Sequence, residues 1–215
     1  MMKLFFSALL LLIPVFGRPS ETNAVLFSEY FEQGVSNRWQ QVKFSAPTDY
    51  HVVRDGTNCF LQASADKSCS AFSVKLNIKP PEKLTLRWRW KIDGVATNGS
   101  ERVVSKFDHA ARVFIAFDTF IGPPRSLDYI WGNEEKVGTI LAHPLSGRTQ
   151  LLVVESGNAR AGKWISEERD VTADWKRCFG QKAMPKIIGI GVLTDGDSLG
   201  CKLTGDYADI ELISK

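Results

Sequence analysis

The sequence is short of the features that mark most catalytic, metal and nucleic-acid centres. Across 215 residues, 27 lysines and arginines face 24 aspartates and glutamates, a formal charge of +3. That excludes the strongly basic surface of a dedicated nucleic-acid binder. Its three histidines, His51, His109 and His143, are scattered without zinc spacing, and no two of its four cysteines form a Cys-x-x-Cys pair. No Gly-x-Ser-x-Gly elbow presents a serine nucleophile. The glycine-containing stretch GIGVLTDG lies in a strand pattern rather than opening a helix, so it is not a phosphate cradle. Internal repeats and low-complexity segments are absent. No later apolar run approaches the roughly 20 residues of a membrane span.

The composition that remains is ordinary for a globular domain, 44% hydrophobic and 24% charged, with enough apolar material for one core. The N-terminus has the three parts of an export signal. Lys3 supplies a positive charge, the run at residues 4–16 is apolar apart from Ser7 and Pro14, and Gly17 and Ala24 offer small-residue cleavage points. Residues 1–24 are therefore expected to be a signal peptide cleaved after Gly17 or Ala24, and residues 25–215 a single domain. The expectation is an exported monomer, periplasmic or secreted, with no transmembrane anchor. Export gives the even cysteine count its meaning as two disulfides with three possible pairings. The favoured pairing joins Cys59 to Cys69, in two short segments linked by a polar turn, and Cys178 to Cys201.

Most of the mature chain is strand-like. LTLRWRWKI alternates strictly, with Leu84, Leu86, Trp88, Trp90 and Ile92 on one face and Arg87, Arg89 and Lys91 on the other. FSVKLNI alternates in the same way, and Asp55-Gly56 is a turn signal between apolar runs. The one helix expected lies near residues 170–180. Asp170 is its N-cap, Val171, Trp175, Cys178 and Phe179 form its apolar face, and Gly180 ends it. The expected fold is all-β, an antiparallel β-sandwich of jelly-roll type, with its last strand pair, residues 187–213, closing the sandwich.

The motifs LRWRWKID, FDHAARVFIAFD, YIWGN, ERDVTADWKRCFG, IIGIGVLTDGDSLG and GDYADIEL resemble, in order, an exported bacterial family known only as a domain of unknown function, serial number three-zero-four-seven. That label implies no activity. The chain departs from the family pattern at Asp197-Ser198-Leu199-Gly200, where Asp-Asn-Thr-Gly is expected, and in its cysteines. The opening stretch AVLFSEYFEQGVSNRWQQVKF is similar to the first strands of jelly-roll carbohydrate-binding modules.

Several constellations are candidates for chemistry. Asp108, His109 and Arg112 open one strand, and Tyr129, Trp131 and Asn133 close another. If those ends adjoin, an aromatic plate, a guanidinium fork and an amide share a rim suited to a sugar. The alternative is that Tyr129 and Trp131, two residues apart, both point into the core. A structural calcium is the one cofactor considered. Its oxygens are expected from Glu32 and Asp209, with Glu29, Asp195, Asp197 and Asp206 in the same acidic set. The basic stripe Arg87, Arg89, Lys91 either meets an anionic glycan or phosphate or is a solvated face that resists edge aggregation. The function expected is non-catalytic recognition of a carbohydrate or cell-envelope component. One alternative is a polysaccharide lyase with Tyr129 or His109 as base and Arg112 against a uronate. Another is a glycoside hydrolase drawing on Glu134, Glu135, Glu155, Glu167, Glu168 or Asp170. A third is an envelope protein-interaction module.

Overall fold

Strict alternation at residues 84–92 sets the architecture, because a strand apolar on one face only must cover that face with a second layer. The computed structural model describes residues 23–119, 121–180 and 183–215. Its strands are β1 (Ala24–Glu29), β2 (Trp39–Lys43), β3 (Asp49–Asp55), β4 (Asn58–Asp66), β5 (Cys69–Ile78), β6 (Leu84–Ile92) and β7 (Arg112–Phe117). They continue as β8 (Arg125–Gly132), β9 (Ile140–His143), β10 (Ser146–Ser156), β11 (Ile165–Asp170), β12 (Ile187–Asp195) and β13 (Lys202–Ser214), with one helix, α1 (Val171–Phe179), between β11 and β12. Residues 1–22 of the expected export signal, including Gly17, lie outside the described residues, whereas Ala24 opens β1 opposite Ser214.

Two sheets form a jelly-roll β-sandwich. One has the order β11-β6-β13-β4-β3, with β1 also pairing β13, and the other β2-β5-β12-β7-β8-β10-β9. Every pairing is antiparallel except β8 with β10, which run parallel. The alternation of β6 is obeyed: Trp88 and Trp90 point inward, 5.3 Å from Tyr129 and 5.6 Å from Trp131 of the opposite sheet. Arg87, Arg89 and Lys91 point out. The turn at Asp55-Gly56 joins β3 to β4, with Asp55 opposite Asn58 and Gly56 at φ +60°. Asp170 caps α1 by accepting from the Ala173 N–H at 2.9 Å, and Gly180 ends it at φ +79°. The helix seats Trp175 against Phe117, 4.6 Å between ring centroids.

The turn between Cys59 and Cys69 is real, but it is not a hairpin. β4 and β5 belong to different sheets, so the chain crosses the sandwich there. Cys59 stands beside Arg54 in the β3–β4 pair, at the far end of β4 from Cys69. About 3.3 Å per residue along β4 separates the two by more than 20 Å, and a disulfide needs Cα atoms within about 7 Å. Cys178 sits on α1, at the Phe117 end of the sandwich, and Cys201 at the Asp195 end. Both expected bridges are thereby excluded, and all four cysteines are free thiols. No described helix is long and apolar enough to cross a membrane.

Candidate functional site

The residues expected to form a sugar-binding rim do come together, but inside the protein. Tyr129 and Trp131 are fully buried and pack against the β6 tryptophans, so neither ring face is open to stack on a ligand. Two aromatics two apart on a strand share a face, and here that face is the core. Arg112 is buried and pairs with Asp195 at the end of β12, which also accepts from the His109 N–H at 2.9 Å. Asp108 accepts from the N–H groups of Ser198 and Leu199 at 3.0 and 2.7 Å. Asn133 accepts from Ala96 N–H at 3.0 Å and donates to the Asp108 carbonyl at 2.8 Å. The set pins the 196–201 turn and the 94–101 loop to the ends of β7 and β8. Burial pushes the Asp195 carboxyl up even though Arg112 pulls it down. Both ring nitrogens of buried His109 lack a hydrogen-bond partner, with Glu101 Oε1 3.7 Å from Nε2. No base there is open to a substrate, which removes the lyase arrangement of Tyr129 or His109 with Arg112.

Of the acidic set expected around calcium, the Asp209 carboxylate is engaged by Arg89 and Asp206 by Lys91 at 2.8 Å, whereas Asp195 and Asp197 come together. Glu29 accepts from the Phe31 N–H and from Trp39 Nε1, at 3.0 and 2.9 Å. Among the described residues, one group of three or more His, Cys, Asp and Glu ligand atoms converges within 4.8 Å, and it contains neither Glu32 nor Asp209.

What the fold presents to solvent instead is the outer face of the sheet built around β6. The register places Arg89 opposite Ser166 on one side and Ala208 on the other, and Lys91 opposite Asp206, itself opposite Gln62. Trp164, just ahead of β11, lies across this face. Its ring centroid is 5.1 Å from the Arg89 guanidinium carbon and 5.4 Å from Lys91 Nζ, and it meets Phe60 edge-on at 5.2 Å. Phe60 is buried beneath it, whereas Trp164 stays part-exposed.

The polar groups around that indole are oriented by one another. Arg89 donates Nε to Asp209 and Nη2 to Asn58 Oδ1 at 2.9 Å. Asp206 accepts from Gln62 Nε2 at 3.0 Å and from Lys91. Arg87 and Lys215 share Glu168, at 2.8 and 2.7 Å, and hold its carboxyl below its usual range. Asp209 sits at φ +50°, at the irregularity where β13 shifts register against β6. A left-handed non-glycine residue of this kind is strained and gathers at binding sites more often than elsewhere. The basic stripe is thus paired with acids: Arg87 and Lys215 with Glu168, Arg89 with Asp209 and Lys91 with Asp206, while Glu211 accepts from the Tyr30 hydroxyl.

A groove along this face, lined among others by Arg87, Arg89, Glu167, Glu168 and Asp209, reaches the sheet edge. There Glu167 accepts from Trp90 Nε1 at 3.3 Å. Burial, reinforced by neighbouring Glu155, pushes its carboxyl up to about 7. Sequence reasoning found the three outward cations but missed Trp164, Phe60, Asn58 and Gln62. The outward alternation of Trp164, Ser166 and Glu168 was the available signal. It was masked because Glu167 and Arg169, on the inward face, are also polar.

The molecule is a jelly-roll β-sandwich carrying an aromatic and polar platform on one sheet. The chain belongs to the family described as Protein of unknown function (DUF3047), which matches residues 37–211. No curated protein matches it. Among solved structures it is similar to the family 11 carbohydrate-binding module from Clostridium thermocellum in complex with a beta-1,3-1,4-mixed-linked tetrasaccharide. The two are 13% identical over 89% of this chain and 95% of that one, with a TM-score of 0.45. It is also similar to the K3 cleaved adhesin domain of Lys-gingipain from Porphyromonas gingivalis W83, 10% identical over 90% and 100%, TM-score 0.46. A third is the cellulose induced protein Cip1, 12% identical over 88% and 97%, TM-score 0.48.

Proposed function

We propose that this is an exported, non-catalytic binding domain that recognises a neutral carbohydrate on the outer face of the β6 sheet. The observation that carries the reading is the part-exposed indole of Trp164, laid over Arg89 and Lys91 and ringed by planar polar side chains already held in place. Sugars present an apolar ring face to such an aromatic and hydroxyls to fixed donors and acceptors. Preorganisation lowers the entropy lost on binding. The matched charges favour an uncharged ligand over a polyanion, because each cation already has its counter-ion. The carboxylates on the platform accept from cations or amides, an arrangement for holding hydroxyls.

Affinity electrophoresis through gels containing neutral and anionic polysaccharides tests this. Trp164→Ala should abolish retardation by a neutral polymer while leaving the melting transition in place, and 1 M salt should change wild-type binding little. Equal retardation of wild type and Trp164→Ala on every polymer that binds would sink the reading. One observation favours a second: Glu167, titrating near neutrality, lines the same groove as Asp209, the pairing of acid and carboxylate a glycosidase uses. Release of reducing ends from a retained polymer, lost in Glu167→Gln, would move the protein to that class.

A further inference from the structure

At the end of the sandwich where β4 stops and β13 begins, two chain crossings lie side by side. The β4–β5 connection and the β12–β13 turn are joined by Gly196 N–H to Ser68 O and Lys67 N–H to Cys201 O, each 3.0 Å, and the turn is closed by Cys201 N–H to Gly196 O at 2.9 Å. Gly196 has no room for a side chain, since a Cβ there would lie 2.5 Å from the Cys201 carbonyl oxygen. The backbone is therefore fixed by packing rather than by any ligand. Into this corner the Sγ of Cys69 and the carboxylates of Asp195 and Asp197 converge within 4.8 Å of one another.

Cys69 is 91% buried, and its thiol touches only the far limit of a sulfur contact, 4.0 Å from Asp195 Oδ2. A second thiol, Cys201, stands on the same turn, 3.8 Å from Asp108 Oδ2. Arg112 and the His109 N–H orient the Asp195 carboxylate, the role that outer partners play around metal ligands. Asp108, Asp195 and Asp197 gather round the turn, and Asp128 faces Arg112 from β8. Asp197 is exposed and gives solvent a way in.

We infer that this corner is a binding site for a divalent cation of the zinc class, held by Cys69 Sγ and the carboxylates of Asp195 and Asp197. One thiolate with two carboxylates suits a borderline ion better than calcium or magnesium, which take oxygen alone. Three protein ligands leave a fourth position for water.

Purified protein, reduced and freed of metal, would be titrated with Zn²⁺ by calorimetry and with Cd²⁺ under ultraviolet absorption, where a cadmium–thiolate bond gives a charge-transfer band. One equivalent of either ion should bind, Cd²⁺ with that band, and Zn²⁺ should raise the melting temperature. Cys69→Ser should erase the band. Asp197→Asn, at an exposed position that does not threaten folding, should weaken Zn²⁺ binding by roughly tenfold or more. Absence of the cadmium band at stoichiometric ion, its persistence in Cys69→Ser, or undiminished affinity in Asp197→Asn would overturn the assignment.

Discussion

The buried Arg112–Asp195 pair gives the sharpest test of whether the residues first expected to bind a sugar are instead a structural pin. Both side chains are nearly inaccessible, 4% and 3% exposed. Asp195 also takes the His109 N–H, and Arg112 stacks 4.8 Å over Phe107 while facing Asp128. Arg112→Met leaves a buried carboxylate with one backbone donor. Asp195→Leu leaves a buried guanidinium whose remaining acid, Asp128, is pushed up to about 6 by its own burial. Removing one partner of a buried pair costs about 3–5 kcal/mol. At about 2–4 °C per kcal/mol for a domain of this size, each variant should melt roughly 6–20 °C lower.

The sign of the second step differs. Burial pushes the Asp195 carboxyl up against the pull of Arg112, whereas for Arg112 burial is outweighed by the attraction of Asp195 and its other acidic neighbours, so desolvation offsets part of what the pair gains. Replacing both residues together, Arg112→Met with Asp195→Leu, should then recover much of the loss. Urea unfolding of the four proteins measures the cycle, with the coupling expected at about 2 kcal/mol or more. Single losses below about 1 kcal/mol, or strict additivity, would refute the view that these groups are there to pin the 196–201 turn to β7.

Other consequences follow from the same geometry. Glu167 has a raised carboxyl, so its contribution to stability is complete below about pH 4.5 and is lost as pH rises through about 7. The melting temperature of Glu167→Gln relative to wild type should therefore climb between pH 4.5 and 8, by the equivalent of about 1–2 kcal/mol once its partial exposure is discounted; a flat difference would contradict the assigned burial. Gly205 faces the Ala110 carbonyl, which a Cβ would approach to 2.3 Å, so Gly205→Ala should cost about 1–3 kcal/mol in chemical denaturation. Peptide mapping without reductant should find no Cys59–Cys69 or Cys178–Cys201 cross-link, because each pair sits at opposite ends of the sandwich.

How much of this was legible in the sequence depended on whether a side chain's fate was set locally. β6, the Asp55-Gly56 turn and the capped helix were readable because alternation, a turn dipeptide and an N-cap act within a few residues. The strand β11 was not, since its inward face carries Glu167 and Arg169 and so shows no alternation of apolar and polar residues. The misplaced rim has a different cause. Asp108, Arg112 and Asn133 have the chemistry of a ligand site, and only residues far away in sequence, Asp195 and the 196–199 turn, show that their hydrogen bonds are already taken within the protein. Trp164 is the converse: nothing beside it in sequence marks it, and its meaning comes from Phe60, Arg89 and Lys91, brought beneath it by strand pairing. In a sandwich of this kind the distinction between a binding group and a structural one lies in which of its polar atoms the distant strands leave open. By that criterion the site passes from Trp131, whose indole N–H is already given to the Gly157 carbonyl at 3.0 Å, to the part-exposed ring of Trp164.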